Sequence, residues 1–221
     1  ESLDDVRPIA EQDVDLLRAV GLYGNVKAPS YLVKTSINQK SKIKNWLSKH
    51  SAASNKKLVV IHAPSRWKFK ELPIATWVNV IDKLKENKFE VVLCGSKEDL
   101  LTNQAIYALC KMKPIITNNF SLEDTAALYS LAHLVLTIDS MSTHLASATQ
   151  TPVISIFGPS NEKNWGPWGG KHRVIALTTE NSPTFACRPC GQDGCEGSKI
   201  SQCLIQMEPD LIISEALKIL R

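Results

Sequence analysis

The sequence predicts an α/β fold in which a parallel sheet carries helices on both faces. Short apolar runs alternate along the chain with segments of helical periodicity, which is the pattern of repeated strand–helix units. The first run, Leu58–Ile61, is continuously apolar, as expected for a strand that is buried on both faces. Six strands are predicted, at Leu58–Ile61, Glu90–Cys94, Pro114–Thr117, Leu134–Ile138, Val153–Phe157 and Arg173–Leu177.

Apolar residues at helical spacing predict helices before, between and after these strands. Gly21 is expected to stop the first helix, and Ser121 to cap a later one. The expected helices cover 11–20, Asn38–His50, Ile74–Leu84, Glu98–Cys110, a segment opening at Ser121, Ser142–Thr149 and Pro209–Leu220, while Pro29–Ile37 is expected to be extended and Ser51–Asn55 a linker. We expect residues 1–56 to form a lead-in and connection, and residues 57–221 to form the α/β domain.

Charge is distributed unevenly along this chain of 221 residues, whose net charge is +4. Residues 16–70 contain twelve Lys or Arg and no Asp or Glu. Such a stretch indicates either an anionic partner or a solvated basic linker. Few aromatic residues lie between the basic ones and no nucleic-acid motif is present, so a nucleic-acid partner is not expected. A hydrophobic content of 43% excludes a disordered chain, and no apolar run approaches the length of a membrane-spanning helix.

Polar residues follow the fourth predicted strand directly, where it leads into a helix. A helix start favours an anion, and hydroxyl donors are expected from Ser140, Ser142 and Thr143. Asp139 could cap the helix, orient an amide or hold a sugar hydroxyl, and a protonated His144 could donate to a phosphate. The structural alternative is a capped helix that contains a hydrogen-bonded histidine.

A basic loop, His62–Pro73, follows the first predicted strand. Its three cations, Arg66, Lys68 and Lys70, suit a pyrophosphate, and Lys70 lies nearest the next helix. The alternative is a solvated basic loop. No strand is followed by Gly-x-Gly-x-x-Gly or by Gly-x-x-x-x-Gly-Lys-Ser/Thr, which argues against a dehydrogenase dinucleotide site and against a P-loop.

These two segments resemble the signature of glycosyltransferase family 9, the ADP-heptose:lipopolysaccharide heptosyltransferases. The main motif is Ile138-Asp139-Ser140-Met141-Ser142-Thr143-His144-Leu145-Ala146-Ser147-Ala148, followed by Pro152 and by Phe157-Gly158-Pro159-Ser160. Lys70-Glu71-Leu72-Pro73 matches the family's lysine motif, and Ser121-Leu122 its helix-opening pair. The loop 65–70 and the cysteine segment are most similar to the heptosyltransferase III subgroup.

The resemblance implies the C-terminal, donor-binding half of a GT-B glycosyltransferase, with a Rossmann-like sheet. Carried over residue by residue, it places Ser65 and Lys70 at the diphosphate. It places Asp139 on a donor sugar hydroxyl, the amides of Ser140 and Met141 on phosphate, and His144 nearby. Glu98, with Asp99 as an equal candidate by spacing, would bind ribose, and Phe120 would line the adenine pocket unless it is a core aromatic.

The same resemblance implies an inverting transfer of heptose from ADP-heptose to the inner core of lipopolysaccharide, with no required cofactor. The acceptor would be the lipid A–core at the cytoplasmic face of the inner membrane of a Gram-negative bacterium. The Lys-rich residues 34–57 would favour peripheral contact with that membrane. The N-terminal domain, which carries the family's carboxylate base, is not matched, so no catalytic residue is assigned and we expect the chain alone to be inactive. The alternatives are a nucleotide-sugar epimerase and a non-catalytic nucleotide-sugar-binding module.

Four of the six cysteines cluster near the C-terminus, in a loop at 187–203. Cys187, Cys190, Cys195 and Cys203 are the right number for a tetrahedral zinc site. Only the first pair has the Cys-x-x-Cys spacing, and the rest do not form a standard zinc ribbon. We therefore expect free thiols rather than a structural zinc, in a reducing, cytosolic compartment.

Overall fold

A computed structural model describes residues 7–22, 32–50, 55–169, 171–178 and 182–221. The strands are β1 (Leu58–His62), β2 (Glu90–Cys94), β3 (Ile115–Thr117), β4 (Leu134–Ile138), β5 (Val153–Phe157) and β6 (His172–Ala176). The α-helices are α1 (Ile9–Ala19), α2 (Ile37–Lys49), α3 (Ile74–Glu86), α4 (Leu100–Leu109), α5 (Leu122–Leu131), α6 (Met141–Ala148), α7 (Glu162–Trp165), α8 (Gln202–Ile205) and α9 (Pro209–Leu220).

The six strands form one parallel sheet in the order β3-β2-β1-β4-β5-β6. This confirms the predicted α/β class and all six predicted strands. The order of the strands reverses between β1 and β4, since the chain crosses from one half of the sheet to the other there. In open parallel sheets, ligands bind beyond the carboxyl ends of the strands at such a switch point. The fold therefore directs attention to the loops after β1 and β4.

The two faces of the sheet bury separate apolar clusters. Side chains alternate along a strand, so Val59 and Ile61 pack on one face of β1 and Leu58 and Val60 on the other. Helices α3, α4, α8 and α9 cover the first face, and α2, α5 and α6 cover the second. Because β1 is buried on both sides, its carboxyl end is a rigid base for the loop that follows.

The predicted helices are confirmed, with shifts of at most two residues at their ends. Gly21 lies in the left-handed region at φ 72°, as a helix stop requires. The expected extended segment 29–37 is only partly described, and its last residue, Ile37, instead opens α2 because Ser36 caps that helix. Helices α7 and α8 are short single turns that periodicity does not reveal. The predicted linker lies mostly outside the described residues.

Helix α2 is attached to the α/β core although it lies in the expected lead-in. Ser36 and Gln39 form a reciprocal capping box at its start. Ile43 is fully buried among residues of β1, β4 and α5. The Lys42 ammonium lies 2.6 Å from the Asp124 carboxylate of α5, which ties the two helices together at their rim. None of the helices in the described part of the chain is long and apolar enough to cross a membrane.

We predict that Ile43→Ala lowers the free energy of unfolding by about 2–5 kcal/mol, because it leaves a cavity under α2. The matched control is Ile37→Ala in the same helix, since Ile37 is 84% exposed. That change should stay within about 0.5 kcal/mol of the wild type. Urea unfolding followed by circular dichroism measures both, and equal effects would show that α2 does not depend on Ile43 for its packing.

Candidate functional site

Two adjoining cavities lie at the carboxyl end of the sheet. The first, of about 380 Å³, lies over the ends of β1 and β4, and we call it the switch-point cavity. The second, of about 490 Å³, lies beside it over the ends of β1 and β2, and we call it the β2-end cavity. They share five wall residues, namely His62, Arg66, Asp99, Met141 and Ser142. Each volume is in the range of small-molecule sites, and one extended ligand could occupy both.

The switch-point cavity brings together six residues that the sequence singled out. They are Ser65, Lys70, Asp139, Ser140, Met141 and His144. They come from two loops that are 69 positions apart when counted from Lys70 to Asp139. The parallel pairing of β1 with β4 places those loops side by side.

An ion pair joins the two loops. The Lys70 ammonium lies 2.6 Å from Oδ2 of Asp139, without the alignment of a directed hydrogen bond. The Asp139 side chain is only 8% exposed and that of Lys70 22%. A carboxylate this buried needs a positive partner, because removal of the partner leaves an uncompensated charge. Asp139 therefore pairs with Lys70 and does not cap α6.

The start of α6 has free backbone donors that face the cavity. Ser140 is the N-cap residue, but no side chain caps the helix, and its first turn contains no acidic residue. By contrast, Ser36 and Ser121 cap α2 and α5 with their hydroxyls. The first amides of α6 therefore remain available, and together with the helix dipole they favour an anion.

The hydroxyls after β4 divide between the cavity and the core. The Thr143 hydroxyl donates to the Ile138 carbonyl at 3.1 Å and lies 2.9 Å from that of Ser155, and Thr143 lines neither cavity. The prediction that it is a ligand donor is therefore wrong, since helical spacing turns it towards β5. Ser142 lines both cavities, but its hydroxyl accepts a 3.0 Å bond from buried Tyr129, so it mainly anchors α6.

His144 lies one turn into α6, at the wall of the switch-point cavity. Burial lowers the pKa of His144, and the nearby Asp139 carboxylate only partly opposes this effect. The ring is therefore neutral at pH 7 in the free protein. It can donate one hydrogen bond to an anion, or gain a proton when an anion binds beside it.

The basic loop is shaped by one carboxylate. Glu71 accepts hydrogen bonds from the Ser65 amide at 2.9 Å and from the Lys68 ammonium at 2.9 Å. Lys68 consequently lies outside both cavities, whereas Arg66 lines both of them and Lys70 lines the switch-point cavity. From below, the Ser201 hydroxyl donates to the Phe69 carbonyl at 2.6 Å and fixes the turn that carries Lys70. Two of the three predicted cations thus reach the candidate site.

The β2-end cavity contains the two residues predicted for ribose and adenine. Phe120 lines this cavity and also packs edge-on against Trp46 of α2, with the two ring centroids 4.9 Å apart. It therefore belongs both to the cavity wall and to the contact with α2. Glu98 is exposed at its rim, and hydrogen bonding from the backbone and from Ser96 lowers its pKa. Asp99 is less free, because its Oδ2 accepts two bonds from Ser96, at 2.8 and 2.9 Å.

The cysteine loop supports the far wall of the switch-point cavity. Arg188, in the middle of that loop, donates to the Leu177 carbonyl at 3.0 Å and to Glu162 at 3.1 Å. Glu162 opens α7, whose last residue, Trp165, lines the cavity.

In the described part of the chain, no group of three or more His, Cys, Asp or Glu side chains is placed to hold a metal ion. Cys187 and Cys190 are exposed, and burial raises the pKa of Cys203 to about 11.

The sequence did not single out His62 or Trp165 as site residues. His62 could have been found, because it is the first polar residue at the carboxyl end of an apolar strand. Trp165 gave no such signal, since its place depends on Arg188.

Among the N-terminal acids, Asp15 pairs with Arg7 at 2.7 Å and with Arg18 at 2.6 Å, and hydrogen bonds from these two arginines lower its pKa. It is therefore a weak base, while Asp4 and Asp5 lie outside the described residues.

Comparisons with known proteins show which family the chain is similar to. Residues 6–190 match the family model of glycosyltransferase family 9 (heptosyltransferase). Lipopolysaccharide heptosyltransferase 3 of Escherichia coli is 30% identical over 162 residues, which are 66% of this chain and 48% of that protein. The chain thus spans about half the length of this curated relative.

Solved structures share the fold at lower identity. A family 9 glycosyl transferase of Veillonella parvula superposes with a TM-score of 0.80 at 19% identity, over 100% of this chain and 62% of its own. The E. coli ADP-heptose lipopolysaccharide heptosyltransferase II superposes with a TM-score of 0.70 at 20% identity, over 89% of this chain and 54% of its own. The family model covers more than half of the chain, and the chain belongs to glycosyltransferase family 9.

Proposed function

We propose that this chain is the donor-binding part of a heptosyltransferase that takes ADP-heptose. The observation that carries the proposal is the pairing of Lys70 with Asp139 directly beside the uncapped start of α6. A cation and free helix amides suit a diphosphate, and a carboxylate beside them suits a sugar hydroxyl. The names of the E. coli proteins described above, which specify heptose, lipopolysaccharide and ADP-heptose, support this choice of substrates.

The ligand would extend from one cavity into the other. Its diphosphate would lie in the switch-point cavity on Lys70, Ser65 and the amides of Ser140 and Met141, with His144 nearby. Its ribose would meet Glu98 and its adenine Phe120 in the β2-end cavity. Glu98 is favoured over Asp99 because Glu98 is exposed at the rim of the cavity, whereas Asp99 is half-buried and its Oδ2 accepts both bonds from Ser96. In this arrangement residues 57–221 form the donor domain, and residues 1–56 form its lead-in and connection.

The chemistry of this site is stabilisation of a leaving group. When the anomeric bond breaks, negative charge builds on the departing ADP. Lys70 and the α6 dipole are in place to stabilise that charge without a metal ion. We assign no general base to the described residues, because Asp139 is held by Lys70 and Asp99 by Ser96. The base that deprotonates the acceptor, here the lipid A–core, would come from outside them.

A titration of the chain with nucleotides tests the proposed donor. We expect the wild-type chain to bind ADP and ADP-heptose in calorimetry and to bind UDP-sugars much more weakly. Binding of UDP-sugars without ADP would contradict the donor assignment.

We predict that Lys70→Ala weakens ADP binding by at least about 1 kcal/mol, which is about a fivefold rise in Kd. The change removes a cation and leaves Asp139 as an unpaired negative charge beside the diphosphate. Lys68→Ala is the matched control, since Lys68 pairs with Glu71 outside both cavities and should change the Kd little. Equal effects of the two substitutions would remove Lys70 from the site.

We predict that Asp139→Asn weakens the binding of the donor sugar without weakening the binding of the nucleotide. The affinity for ADP should hold or increase, because a negative charge near the diphosphate is lost. The affinity for ADP-heptose should fall relative to ADP by at least about 1 kcal/mol, because the sugar hydroxyl loses a charged acceptor. Calorimetry with both ligands measures the difference, and exposed Asp193→Asn is the control. A parallel change for the two ligands would show that Asp139 does not contact the sugar.

The basic surface consists of six lysines that precede β1, namely Lys40, Lys42, Lys44, Lys49, Lys56 and Lys57. Its proposed partner is the anionic membrane face that carries the lipid A–core, at the cytoplasmic side of the inner membrane. In the described part of the chain, Lys42 pairs with Asp124 and Lys57 donates to the Leu220 carbonyl. Four other lysines of this surface form no ion pair or hydrogen bond there, namely Lys40, Lys44, Lys49 and Lys56. They could each contribute roughly 1 kcal/mol near anionic lipid.

We predict that changing these four lysines to Gln reduces binding to vesicles with anionic lipid at least tenfold at low salt. Sedimentation of the chain with vesicles measures the bound fraction. The control carries the same charge change elsewhere, at Lys97, Lys111, Lys163 and Lys171. Unchanged binding of the first variant, or an equal loss in both, would contradict a specific basic surface.

A further inference from the structure

His62 occupies a central position at the switch point, and the proposed function does not use it. It ends β1 and is in register with Thr137 of β4. It lines both the switch-point cavity and the β2-end cavity. A ligand that extends from one cavity to the other passes His62.

The two ring nitrogens of His62 differ in their access to solvent. Nδ1 is buried from solvent and has no hydrogen-bond partner. Nε2 has no hydrogen-bond partner among the described residues either, but it is accessible to solvent. It is therefore the nitrogen that faces the cavities. A buried N–H without an acceptor is rarer than an unpaired lone pair. The proton of a neutral ring is therefore placed on Nε2, which becomes a donor facing the ligand space.

Burial keeps the His62 ring neutral. It lowers the pKa of His62, and the opposing effects of the Asp99 carboxylate and of the backbone at His62 are smaller. Asp99 is also engaged with the Ser96 amide and hydroxyl, so it leaves the Nε2–H donor unpaired. Positive charge at this place is already supplied by Arg66 and Lys70. What His62 adds is an uncharged donor of fixed direction on the end of a buried strand.

We propose that His62 is a binding residue for the segment of a nucleoside diphosphate that joins the diphosphate to the ribose. This inference rests on the proposed function and deepens it. The segment consists of the α-phosphate and the ribose 5′ oxygen, whose exposed atoms are all acceptors. The Nε2–H of His62 donates to one of them as the ligand passes from the switch-point cavity to the β2-end cavity.

Three substitutions and three ligands test this role. His62→Ala removes the donor. His62→Gln carries an amide nitrogen that can reach the position of Nε2, whereas the shorter His62→Asn carries it near the position of Nδ1. His172→Ala is the matched control, because His172 lies on β6 away from both cavities. The ligands are ADP, AMP and adenosine, of which only the first two contain the α-phosphate.

We expect His62→Ala to raise the Kd for ADP and AMP about tenfold and to change that for adenosine less than about twofold. His62→Gln should stay within about threefold of the wild type, His62→Asn should resemble the Ala variant, and His172→Ala should bind normally. Calorimetry gives the affinities, and thermal unfolding without ligand checks the fold. If His62→Ala does not fold, the difference between the Gln and Asn variants decides.

Wild-type ADP affinity in His62→Ala would overturn the inference and leave the proposed function standing. An equal loss for ADP, AMP and adenosine would also overturn it, because it would show a packing role, as would equal losses in the Gln and Asn variants. Failure of the wild-type chain to bind ADP at all would overturn the proposed function, and this inference with it.

Discussion

The ion pair between Lys70 and Asp139 is the constraint on which the candidate site depends. It joins the loops after β1 and β4 across the switch point, at 2.6 Å and largely out of water. A buried carboxylate is costly unless a cation stays beside it, so the pair fixes both loops relative to the sheet. It also concentrates a positive and a negative group within one cavity. A ligand that carries a phosphate next to a hydroxylated sugar satisfies both groups at once.

The rest of the structure keeps this pair in place and exposes it on one side. Glu71 and Ser201 hold the turn of Lys70, while buried bonds from Tyr129 and Thr143 hold the start of α6. Because these neighbours use the hydroxyls of α6, the free backbone amides and Lys70 are left to meet an anion. In the proposed function, this arrangement stabilises the charge that develops on a leaving group, which is the electrostatic requirement of glycosyl transfer from a nucleotide sugar.

Sequence reasoning was most successful where one local signal decides the structure. Short, mostly apolar runs predicted all six strands in the described part of the chain, and the strand ends predicted which loops meet, because parallel strands bring their carboxyl ends to one edge. It was wrong about Thr143, since helical phase in a short helix decides between cavity and core. It did not place Trp165 or the attachment of Lys42 to Asp124, because these depend on contacts between residues far apart in the chain. The roles of the site residues stay predictions until a ligand is bound.

In the proposed function, the diphosphate of the donor displaces the Asp139 carboxylate from the Lys70 ammonium. A crystal structure of the chain with ADP tests it most directly. We expect phosphate oxygens within hydrogen-bond distance of the Lys70 ammonium and of the first amides of α6, with the contact between Lys70 and Asp139 lengthened. An ADP molecule bound elsewhere, with that contact unchanged at its present 2.6 Å, would contradict a role of Lys70 in binding the diphosphate.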